Sequence, residues 1–261
     1  MTNPFLTKPN YVRIFGHRGA RGEIAENSIE GFKYTFDLGI KAIEFDVVIT
    51  KDNIPVLFHD YRLNKDMVKD SSGNWLEETG PKIIDLTFDE LSSYNIESLK
   101  PESGYSKRFK KQNPAQGAKI PKLADLFQLV NEGKNKDVFL NLEIKSTPTQ
   151  DNVTPDHKTT IELILKDIKK FNLEDRVLVT SYDFKNLYSQ RKEPLAISVG
   201  SGIPIGRSKL HLNLDYVTGL MEFDRINIPG IDTGEENTTS VLFEESRKSV
   251  LNFGAGLEVF V

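Results

Sequence analysis

Hydrophobic and polar positions recur with two periods along this chain, and the switches between them lay out its elements. Residues 11–15 form a β-prone run that stops at Gly16, with His17 next. Ile29, Phe32 and Phe36 then recur at helical spacing, with Asn27 as the expected N-cap, Glu30 as its box partner and Gly39 as the stop. In residues 41–49 the period shortens: Ile43, Phe45 and Val47 point one way, Glu44 and Asp46 the other. A half-exposed antiparallel strand would give the same alternation. The helix just before it argues instead for a βαβ unit and a parallel sheet, whose strands are buried on both faces. On that reading the two acids face an interior, a costly arrangement unless the charges are paired or bind a metal.

Residues 54–58 are a further strand candidate, after the Lys51-Asp52-Asn53 turn. Residues 61–117 break the rhythm. They are polar, carry Ser71-Ser72-Gly73 and Pro101-Glu102-Ser103-Gly104, and hold only a brief helical pattern at 88–91. They read as an insertion over one end of a single domain spanning residues 1–261. Their basic run, Lys107 to Lys111, reads as a solvated surface cluster. Pro121 then opens a helix marked by Leu123, Leu126, Phe127 and Val130. In the strand at 137–144, Leu140, Leu142 and Ile144 oppose Asn141 and Glu143, and Lys145 follows on the polar side.

A helix at 156–171 rests on Ile161, Ile164, Leu165 and Ile168, and a strand follows at 177–180. Farther on, Asp183 caps a short helix that ends near Arg191, and a strand at 195–199 is closed by Gly200-Ser201-Gly202. Residues 207–212 are weakly patterned, 215–220 read as a strand, 222–236 as a loop, 240–253 as a helix and 256–261 as the start of another strand. Alternating strands and helices at this length predict an α/β chain of the (β/α)8 TIM-barrel type. Eight strand–helix units close such a barrel, and on this count the last helix–strand unit is missing.

Charge and composition narrow the chemistry. A net charge of −4 argues against a general nucleic-acid binder and for small-molecule work. No apolar run approaches the roughly 18 residues of a membrane span. With no cysteine there is neither a disulfide framework nor a zinc–thiolate site. Residues 1–10 carry one lysine and no apolar core of a secretory signal, so a cytoplasmic location is expected.

The ordered set His17-Arg18-Gly19, Glu26-Asn27-Ser28, Glu44-Phe45-Asp46, Thr50-Lys51-Asp52, His59-Asp60 and Glu143-Ile144-Lys145 resembles the glycerophosphodiester phosphodiesterase family. The likeness is strongest over residues 11–145, with Ala25 and Ser28 standing where the family has proline and threonine. The resemblance implies a barrel of the phospholipase C-like phosphodiesterase kind. It also implies hydrolysis of a small glycerophosphodiester to glycerol 3-phosphate and an alcohol, with one divalent cation. By the match, Glu44, Asp46 and Glu143 are the metal ligands, His17 and His59 the acid and base, and Arg18 and Lys145 the phosphate contacts. The family's continuation past the strand begun at residue 256 is absent, which suggests a truncated barrel. An inactive fragment is therefore the competing expectation, with lysophospholipase D-type cleavage of acylated substrates as a neighbouring one.

Residue chemistry agrees with the match. Three carboxylates without sulfur make a hard-oxygen site suited to Mg²⁺ or Ca²⁺, and histidine suits proton transfer near neutral pH. Either histidine alone would read as a hydrogen-bonded interior residue. Internal ion pairing with Arg18 and Lys145 would also account for the acids, but three acids would then share two cations. Glu26 reads either as supporting the helix start or as holding a neighbouring site residue, the former preferred, and His157 and His211 read as surface residues.

Overall fold

The computed structural model describes residues 14–147 and 152–181, together with the backbones of three strands between residues 196 and 258. The chain divides into two compact units, Met1–Ser189 and Gln190–Val261, each described by itself.

In the first unit, β1 (Gly16–His17), helix α1 (Ile29–Asp37) and β2 (Ala42–Ile49) form the expected strand–helix–strand opening. A short return strand, β3 (Pro55–Leu57), follows. The polar stretch after it holds two five-residue helices, α2 (Phe88–Ser92) and α3 (Gly104–Arg108). Then come α4 (Leu123–Val130), β4 (Phe139–Ile144), α5 (His157–Lys170) and β5 (Val177–Thr180). Strands β1, β2, β4 and β5 pair in parallel in that order, while β3 pairs antiparallel to β2 as a hairpin. The fold is thus α/β of the TIM-barrel type, and among the described residues of this unit the parallel strands do not close a ring.

The alternation in β2 and β4 sorts two faces. Ile43, Phe45 and Val47 of β2, with Leu140, Leu142 and Ile144 of β4, are buried in one cluster with Phe32 and Phe36 of α1, Leu126 and Phe127 of α4, and Ile161 and Ile164 of α5. Phe32 and Phe45 meet edge to face at 6.1 Å, a favoured aromatic geometry. The helices therefore cover this face. The other face of the same strands carries Glu44, Asp46, Asn141 and Glu143.

Helix α1 starts one residue later than its sequence pattern suggests. Ser28 is the N-cap and accepts a hydrogen bond from the Gly31 N–H at 3.0 Å. Asn27 is drawn to Asp46 instead, on a left-handed backbone with φ 52°. At Gly16, an added Cβ would lie 2.6 Å from both the Gly19 carbonyl oxygen and Thr35 Cγ2. Gly19 itself has φ +79°. Both glycines are required by the turn that carries His17 and Arg18.

Residues 61–117 build a second apolar cluster, in which Leu63, Val68, Ile83, Leu91 and Ile96 pack with Val48, Val56 and Phe58 from the barrel side. This stretch holds more regular structure than its polar composition suggests. Within the basic run, Lys107, Arg108, Lys110 and Lys111 are exposed. Phe109 turns inward instead, its ring centre 4.7 Å from the Arg21 guanidinium.

The second unit departs from the sequence reading. Strands β6 (Ala196–Ile205), β7 (Ser208–Val217) and β8 (Val250–Glu258) form an antiparallel meander, with Val199 opposite Leu214 and Leu214 opposite Phe253. Gly200-Ser201-Gly202 does not end β6, because a β-strand accommodates glycine at some entropic cost. The segment 207–212, weak as a helix or barrel strand, lies largely in β7, where leucines at 210, 212 and 214 alternate with polar residues. The end of the expected 240–253 helix belongs to β8. The expected elements at 183–191 and 222–236, and most of the 240–253 helix, lie outside the described residues.

Candidate active site

Register brings the acids together. In β2, Glu44 and Asp46 share a face because strand side chains alternate. The parallel pairing sets His17 opposite Glu44 and Asp46 opposite Glu143. One carboxylate oxygen from each of Glu44, Asp46 and Glu143 lies within 4.8 Å of the others. His17, at the end of β1, places Nε2 3.5 Å from Glu44 Oε2.

The β3 hairpin delivers the second histidine. The Phe58 N–H donates to the Asp46 carbonyl at 3.2 Å, which turns the chain so that His59 and Asp60 follow beside the acids. Asp60 Oδ1 lies 2.6 Å from His59 Nδ1, and its Oδ2 accepts from Asn64 at 2.8 Å. One imidazole nitrogen is thereby fixed, which leaves Nε2 as the end that can exchange a proton with a bound group. Burial raises the Asp60 carboxyl, but the hydrogen bonds from His59 and Asn64 and the His59 charge outweigh it and hold the group below the ordinary range.

Arg18 and Lys145 stand among the acids. Arg18 is buried and donates to Glu26 at 2.9 Å, with Nε 3.2 Å from Asp46 Oδ2, while its backbone N–H donates to Glu44 at 3.1 Å. Burial opposes its charge, yet Glu26, Asp46 and Glu44 outweigh this and hold the guanidinium above its ordinary value. Lys145 Nζ lies 2.7 Å from Glu143 and 3.5 Å from Asp46, and those two acids likewise outweigh burial and raise the ammonium.

The three acids respond differently. Burial pushes the Glu44 carboxyl well up, reinforced by the charges of Asp46 and Glu143. Glu143 is raised by burial too, with Lys145 pulling the other way. Asp46 meets the same burial, but Arg18, His59, Lys145 and the Asn27 amide together hold it below the ordinary range. Two cations therefore secure one acid and leave two that favour protonation or a further cation.

A hard divalent ion fits this donor set. The ligand atoms are all carboxylate oxygen, and Asp46 Oδ1 is buried without a hydrogen-bond donor. The same residues also account for part of the charge by ion pairing.

Three members of this network escaped the sequence reading or were placed elsewhere by it. Glu26 does not serve the helix start. It is a buried carboxylate that bridges Arg18 at 2.9 Å and Arg21 at 3.3 Å. Asn27 orients Asp46, donating from Nδ2 at 2.9 Å and accepting the Asp46 N–H at 3.3 Å. Asp60 holds His59. Their signal was adjacency to the motif residues, which does not itself reveal a partner. His157 is partly buried at the start of α5, away from these contacts, and the His211 side chain lies outside the described residues.

The α/β barrel-type sheet thus gathers three carboxylates, two histidines and two cations at one end of its polar face. The sequence model of the glycerophosphoryl diester phosphodiesterase family matches residues 17–204, and the chain belongs to that family. A glycerophosphodiester phosphodiesterase of Caldanaerobacter subterraneus is 28% identical over 187 residues, which span 72% of this chain and 65% of that protein. A crystal structure from Silicibacter pomeroyi, assigned as a glycerophosphoryl diester phosphodiesterase, superposes with a TM-score of 0.67 at 32% identity, covering 71% of this chain and 62% of that one. An Oleispira antarctica phosphodiesterase, solved with sn-glycerol-3-phosphate as product, shares the fold with a TM-score of 0.51 at 23% identity, covering 69% of this chain and 61% of that one. The matches span 60%, 65% and 60% of the length of three curated relatives. Among the described residues, no helix is long and apolar enough to cross a membrane.

Proposed function

We propose that this chain hydrolyses glycerophosphodiesters to glycerol 3-phosphate and an alcohol. The observation that carries the reading is the convergence of Glu44, Asp46 and Glu143 within 4.8 Å, beside both histidines and inside the region matched by the family. Glu44, Asp46 and Glu143 would hold one divalent cation, Mg²⁺ or Ca²⁺. When bound, the ion supplies Lewis-acid polarisation of a phosphoryl oxygen and neutralises the clustered acids.

The chain's own groups do the rest. Lys145 and Arg18 offset the negative charge of the diester. One of His17 and His59 takes a proton from the attacking water as its oxygen joins phosphorus. The other delivers a proton to the alcohol oxygen as the bond from phosphorus to that oxygen breaks. Asp60 steadies His59 for whichever part it plays. Residues 61–117 would form an insertion beside this end of the barrel, packed against Val48, Val56 and Phe58.

The test is release of glycerol 3-phosphate from glycerophosphoethanolamine. EDTA abolishes it, and His17→Ala and His59→Ala each lower it by at least about a hundredfold, the usual scale of acid–base catalysis. Turnover that persists in EDTA, or that survives both substitutions, overturns the reading.

A further inference from the structure

A cavity of about 520 Å³ opens directly from the site, with His59 and Lys145 on its inner wall and residues of the insertion on its outer one. Its volume suits a small polar molecule, and its walls are charged. Arg62, Lys65, Lys82 and Lys145 line it against only Asp60 and Asp66.

Most of these charges are already committed. Lys145 pairs with Glu143 and Asp46, Lys65 lies 3.5 Å from Asp66, and both Asp60 oxygens are taken by His59 and Asn64. Arg62 and Lys82 are different. Arg62 reaches only the Gly80 carbonyl, at 3.4 Å, and Lys82 only the Asn152 carbonyl, at 3.1 Å. Among the described residues neither meets a carboxylate, so an exposed arginine and a half-exposed lysine line the cavity without an acidic partner. A quaternary ammonium group would call for several aromatic faces, and Tyr61 is the single aromatic residue lining this wall.

We propose that this cavity seats the alcohol half of the diester and selects an alcohol that carries its own negative charge, a phosphate or a carboxylate held by Arg62 and Lys82. Arginine grips either anion through paired N–H donors, and lysine adds a point charge. The inference rests on the hydrolytic reading of the adjoining site.

The experiment compares kcat/KM for four diesters: glycerophosphoinositol 4-phosphate, the glycerophosphodiester of lactate, glycerophosphoglycerol and glycerophosphocholine. These carry a phosphate, a carboxylate, no charge and a positive charge on the alcohol. At least one anionic alcohol exceeds the neutral one by about tenfold, the scale of a charge-assisted contact. Which of the two leads identifies the group recognised. The double variant Arg62→Gln/Lys82→Gln, checked for an unchanged melting transition, loses that preference through KM and keeps glycerophosphocholine within about twofold. If the double variant fails to fold, Arg62→Gln alone carries the test. A flat or reversed charge order, or a preference that the variant retains, overturns the proposal.

Absence of turnover on all four diesters would instead count against the hydrolytic reading. Calorimetric titration of the same compounds in EDTA then reads the cavity directly. Tighter binding of an anionic diester that is lost in the variant supports the subsite, and equal binding of all four overturns it.

Discussion

Strands β2 and β4 present two faces with opposite physics. On one, Ile43, Phe45, Val47, Leu140 and Leu142 sit against three helices, fully or almost fully buried. On the other, the same backbone carries Glu44, Asp46 and Glu143 within 4.8 Å of each other. The first face gains free energy by leaving water, at roughly 25 cal/mol for each Å² of apolar surface. The second loses it, because desolvated like charges repel and cations only partly offset them. A stable scaffold and a site held against its own repulsion are thus two sides of one sheet, and stability made on the apolar side lets the polar side persist.

The sharpest way to break this comparison is to cut into the apolar face. Phe45→Ala removes a ring at 0% exposure, in contact with Phe32, and should cost about 3 to 5 kcal/mol in urea denaturation. A loss below about 1 kcal/mol would mean that this face is not the scaffold.

Next in size is removal of a cation from the polar face. Arg18→Met leaves Glu26 and Asp46 buried without their main partner, and the expected loss is about 3 kcal/mol. If stability rises instead, the guanidinium is a cost carried for function alone.

A pH series sharpens the difference between the acids. Glu44 and Glu143 have folded values raised above the unfolded ones, so the unfolded chain releases its protons first as pH rises. Their contribution to stability therefore falls with rising pH from the ordinary carboxylate value of about 4.3 up through the raised folded values. Asp46 runs the opposite way, because its folded value is depressed. It stabilises above about 3.9, and that contribution is lost as pH falls through the lower folded value. In EDTA, Glu44→Gln should flatten the decline with pH and gain about 1 kcal/mol at neutral pH, since the amide relieves repulsion and can still accept the Arg18 N–H. Adding Mg²⁺ or Ca²⁺ should raise the melting temperature of the wild-type protein more at pH 8 than at pH 5, and that response should shrink in the variant. Identical pH profiles for the two proteins would refute the assignment.

The smallest effect belongs to an exposed pair that serves as a control. Lys41→Ala, which separates Lys41 from Asp137 at 2.9 Å, should change stability by less than about 0.5 kcal/mol. A larger loss would show that charge pairs matter here wherever they lie.

Much of this was legible along the chain. The alternation from Ile43 to Val47, the helical spacing of Ile29, Phe32 and Phe36, and the strand from Phe139 to Ile144 all follow from local periodicity, which reports the face a side chain takes. The same alternation picked out Glu44, Asp46 and Glu143, because acids inside apolar strands are costly enough to need a cause.

Periodicity is silent on what faces what. It could not tell that Glu26 bridges two arginines, that Asn27 gives up the helix cap to hold Asp46, or that Phe109 folds from a basic run onto Arg21. Nor could it assign the antiparallel pairing of β3 or of β6 through β8, since strand direction depends on partners far away in sequence. The sequence by itself determined which residues lie on the polar face and what chemistry they offer. Tertiary structure alone decided that His17 falls opposite Glu44 and Asp46 opposite Glu143. Register is set by how whole strands and helices pack, and a one-residue slip would turn every acid to the apolar side.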